Sequence, residues 1–374
     1  TTLVGNVTTT GTQTYNSAVS LGVNDTLASS NALINFLGTV NGGFGLTVNA
    51  GAGGVGFAAA VGGVQALASL DVTGPTALGG SVTTLGTQTY HSAVTLAGTD
   101  TLTTTDSAVD FLGTVSGGFG LTVNAGSGPV TFTGAVGGGG SALASLAVTG
   151  ATTLDSNVTT TGAQTYNSAV TLGNSVILAA TNNAVDFVGT VDATAAGAQG
   201  LTVNAGTGAV TFGGLVGGSQ ALASLTTTGP TTLDGNVTTI GGQTYNNAVT
   251  LGATVALASS NSPIDFVSTL DGTTTGGQFL AVNAGTGMTT FGGAVGGSAR
   301  LLSVTVTGPT TLDSSVNTRD AQNYGGAVTL GNNASLTTAN GAVDFTGTVD
   351  GSFGLTVNAG SGLVTFGNAV GGSK

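Results

Sequence analysis

Val109-Asp110-Phe111-Leu112-Gly113-Thr114-Val115 returns 21 residues later as Val130-Thr131-Phe132-Thr133-Gly134-Ala135-Val136. The same step carries Ile34-Asn35-Phe36 to Val55-Gly56-Phe57, and Val343-Asp344-Phe345 to Val364-Thr365-Phe366. A step near 20 residues, made of short strands and turns, is what one coil of a β-solenoid requires. Alternation agrees with it. In Leu121-Thr122-Val123-Asn124-Ala125-Gly126, Leu, Val and Ala share one face while Thr and Asn take the other, as a half-buried strand demands. Such runs are broken by Gly, Asn-Ala-Gly or Gly-Gly, residues that allow φ > 0 corners.

A longer period encloses the short one. The triplets Thr1-Thr2-Leu3, Thr76-Ala77-Leu78, Thr152-Thr153-Leu154, Thr231-Thr232-Leu233 and Thr310-Thr311-Leu312 open five copies, 1–75, 76–151, 152–230, 231–309 and 310–374, the last truncated. Each carries QTY or QNY, an AV pair, AVDF or a variant, LTVNAG or LAVNAG, a second Phe, and a glycine pair; LASL or LLSV then follows in the first four. The fold class expected is all-β, a single elongated β-solenoid over 1–374 built from these five tandem copies. Tandem Ig-like sandwiches are the rival for a copy of this size. The internal echo, and the lack of Trp or a Pro-rich linker, favour the solenoid. Three or four coils per copy would give about 15 to 20 coils, and a rod of about 70–95 Å at about 4.8 Å per coil.

Composition narrows the chemistry. Charged residues make up 5% of the chain, there is no Glu, and Arg300, Arg319 and Lys374 are the only basic side chains against fifteen Asp, for a net charge of −12. So few cations cannot neutralise a row of phosphates, so nucleic acid is excluded as a partner. With no Cys there are no disulfides and no thiolate metal sites. No run is long and apolar enough for a transmembrane helix, and no charged n-region with an h-region stands at Thr1.

Low charge has a reason in a solenoid. Stacked coils bring equivalent side chains to about 4.8 Å, where like charges repel and Thr, Ser, Asn, Val and Ile stack well. Asp110, Asp186, Asp265 and Asp344 share one repeat position, with Asn35 in the first copy. Three or four coils, about 14–19 Å, are expected to separate them. The copies differ most between Val191 and Leu201 and between Leu270 and Leu280, where ten residues replace the six from Val115 to Leu121. The extra residues, within 192–199 and 271–278, are expected on exposed corner loops.

The phrases GAQTYNSAVTL (162–172), GLTVNAGTGAVTFGGLVGG (200–218) and ALASLTTTGPTTL (221–233) resemble the repeats of large bacterial surface adhesins of the filamentous-haemagglutinin-like group. The resemblance runs through all five copies. It implies a right-handed parallel β-helix projecting from the cell surface, and it carries over no catalytic residue. A secretion domain of that family is not recognisable in these residues.

His91 stands where other copies hold Asn16, Asn167, Asn246 and Gly325, as drift at a polar surface position does. No G-x-S-x-G elbow accompanies the many Ser and Asp. Paired carboxylates for glycoside chemistry need local density, whereas the Asp are dispersed. Arg300 and Arg319 replace Ala221 and Ile240 of the preceding copy. Calcium is the better ionic reading for Asp at Gly-rich corners, yet Gly117-Gly118-Phe119-Gly120-Leu121-Thr122 puts Thr where a calcium roll needs Asp. Tyr15, Tyr90, Tyr166, Tyr245 and Tyr324, one per copy, are read as packing residues before a glycan-binding row. Strings such as Thr103-Thr104-Thr105 lack the coil-by-coil regularity of an ice-binding face.

No catalytic, cofactor or metal residue is therefore assigned. The function expected is a rigid stalk in an extracellular or cell-surface bacterial adhesin or fibre, without catalysis. The alternatives are a subunit of a self-assembling extracellular filament and, more weakly, a carbohydrate-active β-helix enzyme. The partners open to it are a host-surface or matrix glycan or protein, and a second copy head to tail. The chain stops at Val370-Gly371-Gly372-Ser373-Lys374, ahead of the LASL phrase, and neither end carries a polar capping repeat. The expectation is a piece of a longer array or ends covered by neighbours.

Overall fold

A computed structural model describes residues 1–138 and 141–372, which leaves Ser373 and Lys374 outside the described residues. The described chain is all-β, its parallel strands stacked as a β-solenoid of about 17 turns. It divides into two compact units, Thr1–Asn183 and Ala184–Lys374.

Within Thr1–Asn183 each coil crosses three faces. One face stacks Val7–Thr9, Asp25–Ser29, Gly45–Asn49, Ser69–Thr73, Gln88–Tyr90, Val109–Phe111, Val130–Phe132, Thr152–Leu154 and Val170–Leu172, every neighbour parallel. The echo read from sequence is the register itself, with Val109 opposite Val130 and Phe111 opposite Phe132. Ala184–Lys374 is built the same way. There Val185–Phe187, Val210–Phe212, Thr231–Leu233, Val249–Leu251 and Leu270–Gly272 form one face.

Short strands suffice because the pattern inside them is regular. A three-residue strand such as Val109–Phe111 points its first and third side chains inward and its middle one out. The inward residues form columns. Tyr90, Phe111 and Phe132 stack at 5.3 and 5.1 Å with ring planes within 10° of parallel. Tyr245, Phe266 and Phe291 stack likewise at 5.2 and 5.4 Å, with planes within 11° of parallel. Strand spacing imposes this separation, and it lies within the range of offset stacking. Below each column comes a Leu from the next copy's opening triplet: Phe132 lies opposite Leu154 and Phe291 opposite Leu312.

The QTY phrase has a specific job. Gln243 is fully buried, its Nε2 donating to the Ala258 carbonyl at 2.8 Å and to Thr239 Oγ1 at 3.3 Å. Its Oε1 accepts from the Tyr245 hydroxyl at 3.0 Å. Thr239 in turn donates to the Gly241 carbonyl at 2.6 Å. One amide thus ties the corner before it to the end of the coil, and the buried Tyr hydroxyl is satisfied. Gln88, Gln164 and Gln322 repeat the arrangement. Gln243→Leu keeps the volume and removes these partners. It is expected to cost about 1–3 kcal/mol, read as a lower urea midpoint at unchanged m-value.

Copies and coils do not keep step. The second copy supplies ten strands, from Thr76–Leu78 to Ser145–Thr149, and a single bridge at Val136 in place of an eleventh. On a three-faced coil, eleven positions make three coils and two faces. Each new copy therefore starts one face away from the last. In Thr1–Asn183, Gln13–Tyr15, Gln88–Tyr90 and Gln164–Tyr166 occupy three different sheets. Asp186, Asp265 and Asp344 likewise lie on three different faces of Ala184–Lys374. This corrects the picture of one widely spaced Asp column. Equivalent carboxylates are kept apart by direction as well as by rise.

Candidate functional site

A concavity of about 470 Å³ lies on the outer surface of Ala184–Lys374. Its floor is the ladder Thr305, Asn323, Asp344 and Thr365, the outward middle positions of four stacked strands. Asn323 Nδ2 donates to Thr305 Oγ1 at 3.4 Å. Gly325 opens one side. In earlier copies a larger residue stands there and bonds back to the preceding coil: Asn246 donates to the Thr227 carbonyl at 3.0 Å, and Asn167 to Thr149 Oγ1 at 3.2 Å. A carboxylate, an amide and hydroxyls on a flat strand ladder can hydrogen-bond a polyol. Asp344 is the only titratable group lining it, so the hollow has no acid–base pair to run hydrolysis or elimination.

His91 holds the same repeat position and is half-exposed, its Nε2 3.3 Å from the Asp71 carboxylate. Such an exposed pair contributes at most about 1 kcal/mol. Arg319 pairs with its neighbour Asp320 at 3.3 Å, both side chains more than half exposed. Arg300 is exposed, and its carbonyl accepts from the Gly276 N–H. Arg300 and Arg319 both lie beside Gly276 of the 271–278 insertion, in which Thr273, Thr274, Thr275 and Gly277 are exposed as expected while Gly272, Gly276 and Gln278 are buried. Gln278 Nε2 donates to Thr273 Oγ1 at 2.7 Å, and Gln199 does the same to Thr194 in the other insertion.

Most of the polar corner residues cap backbone. Asn31, Asp106, Asn182 and Asn261 hold one repeat position, a corner with φ between 52° and 59°. Asn31 Oδ1 accepts the Ala52 N–H at 2.8 Å, and Asp106 Oδ1 accepts the Ser127 N–H at 2.8 Å and its hydroxyl at 3.0 Å. These donors hold the Asp106 carboxyl below the usual carboxylate range. Asp192 and Asp271 each accept two amides of the glycine-rich excursion one coil on, those of Ser219 and Gln220, and of Ser298 and Ala299. Carboxylates already turned toward amide donors are poorly set for calcium. Among the described residues no group of three or more His, Cys, Asp or Glu could hold a metal. EDTA is accordingly expected to leave the thermal midpoint unchanged; a fall restored by calcium would reverse that assignment.

The tyrosines are packing residues. Tyr90, Tyr166, Tyr245 and Tyr324 are fully buried, and Tyr15, in the first coil, is half-buried. Burial pushes the phenols up, and the charge of Asp100 adds to this at Tyr90. Two residues escaped the reading of Asp as dispersed surface charge. Asp25 and Asp100 point inward and are 2% and 1% exposed. The signal was in the alternation Asp100-Thr101-Leu102, which puts Asp on the side of Leu102.

Comparison with protein-family models, curated proteins and solved structures finds no match for this chain.

Proposed function

We propose that this chain is a structural repeat region of an extracellular bacterial adhesin or surface fibre, a stiff spacer without catalysis. One observation carries the reading. Every coil is closed by the same inward columns, while each copy turns its own outward features to a new face. Adjacent copies that face different ways suit holding distance better than building a site from successive copies. Immunogold labelling of intact source cells with antibody to the 374-residue chain is the test. Labelled projections that external protease removes are expected; label confined to the cytoplasm would sink the reading.

A further inference from the structure

Asp25 and Asp100 occupy the first, inward position of equivalent strands, Asp25–Ser29 and Asp100–Thr103. The third and fourth copies place Val176 and Val255 there, both buried. The next coil puts Leu46 opposite Asp25 and Leu121 opposite Asp100. Both oxygens of Asp25 and Oδ2 of Asp100 are buried with no hydrogen bond of normal geometry, the Gly5 amide being the one backbone donor that acts on Asp25. An ionised carboxylate in such surroundings is unfavourable, while a protonated one is far better tolerated.

The surroundings offer no compensating charge. The strands packed around Asp100 are Val82–Thr83 and Gly120–Asn124 in its own sheet, and Gln88–Tyr90 and Val94–Leu96 on the other faces of the coil. Tyr90 is the only titratable side chain on them. Around Asp25 the strands Val7–Thr9, Gly45–Asn49, Gln13–Tyr15 and Val19–Leu21 carry only Tyr15. A phenolate would add repulsion, and both phenols are themselves pushed up.

We propose that the coils carrying Asp25 and Asp100 form a pH-responsive segment of the solenoid, tightly closed while the two carboxyls are protonated and opening locally as they ionise. Each carboxyl follows a corner directly, so a small displacement of that corner admits water to it. The coils with Val176 and Val255 have no such group and stay closed throughout.

The direction follows from burial. Desolvation pushes Asp100 up to about 6 from 3.8. It raises Asp25 as well, against a lowering pull from the Gly5 amide. Between those two values for Asp100 the closed coil keeps a proton that the open one has released. Stability is therefore highest in acid and falls as pH rises through that window. For Asp100 the opening equilibrium shifts by about a hundredfold across it.

Hydrogen exchange on the full chain, corrected for intrinsic rate, tests this against internal controls. Between pH 4 and pH 8 the coil Gln88–Thr103 is expected to lose protection by about a hundredfold. Gln164–Ala180 and Gln243–Ala258 should hold theirs. Asp100→Val should abolish the loss in its own coil and leave that around Asp25. Identical pH responses in Asp and Val coils would overturn the proposal, as would persistence of the loss in Asp100→Val. Should that variant aggregate, carbon-13 titration of the unmodified chain serves instead. An Asp100 midpoint in the ordinary carboxylate range would equally reject it.

Discussion

Phe111→Ala is expected to destabilise the chain by about 3–5 kcal/mol, as loss of a fully buried aromatic does when its surroundings cannot collapse. Collapse is restricted here. Phe111 is held between Tyr90 and Phe132, and all three rings are fixed by parallel strand pairs above and below. Closing the gap would require the coil to compress, and strand spacing forbids that. Thr131→Ala, an outward position one coil along, should stay within about 0.5 kcal/mol. Because a solenoid can unfold from parts, exchange protection in coils 88–103 and 109–124 is a cleaner readout than one global midpoint. Equal protection in Phe111→Ala and Thr131→Ala would show that the aromatic columns contribute far less than their burial suggests.

Gly217→Val should be comparably severe, at about 3–5 kcal/mol, for a different reason. Gly217 turns the chain out of the face with φ +66°, and a Cβ there would collide with the Thr238 carbonyl oxygen. That oxygen belongs to the next coil, so relief would break pairing between coils. A β-branched residue adds its own aversion to positive φ. Gly62 and Gly296 meet the same obstruction at Thr83 and Asn317, which makes the effect transferable between copies. Gly118→Ala, with open space around it, is the control and should be near neutral. Urea titration of both variants checks the contrast, and a near-neutral Gly217→Val would mean that this corner relaxes freely.

The solenoid was legible because its coil is written directly into the chain. Val109 and Val130 are 21 residues apart and also register partners, and the inward set Leu121 and Val123 follows strict alternation. The turning of each copy was not legible from that period. It depends on how many faces a copy crosses, and at Val136 a single bridged residue stands for a whole strand. Nor was the interior role of Gln88. An amide reads as surface until Thr84, Tyr90 and the Thr103 carbonyl are seen closing around it. Carboxylates such as Asp192 and Asp271 were found as polar corners, while the amides they cap arrive 27 and 28 residues later, beyond the reach of a local pattern.

The seam between copies has a genetic consequence. Phe57 meets Leu78, Phe132 meets Leu154, Phe212 meets Leu233 and Phe291 meets Leu312. The join is the same whichever face it falls on. Unequal crossing-over between copies would therefore keep this Phe–Leu pairing at the new junction, so the gene could lengthen or shorten by whole copies with the seam intact. What changes is the bearing of everything downstream, by a third of a revolution for each copy gained or lost. Lineages differing by three copies would present the same profile, whereas those differing by one would show an antibody a different side.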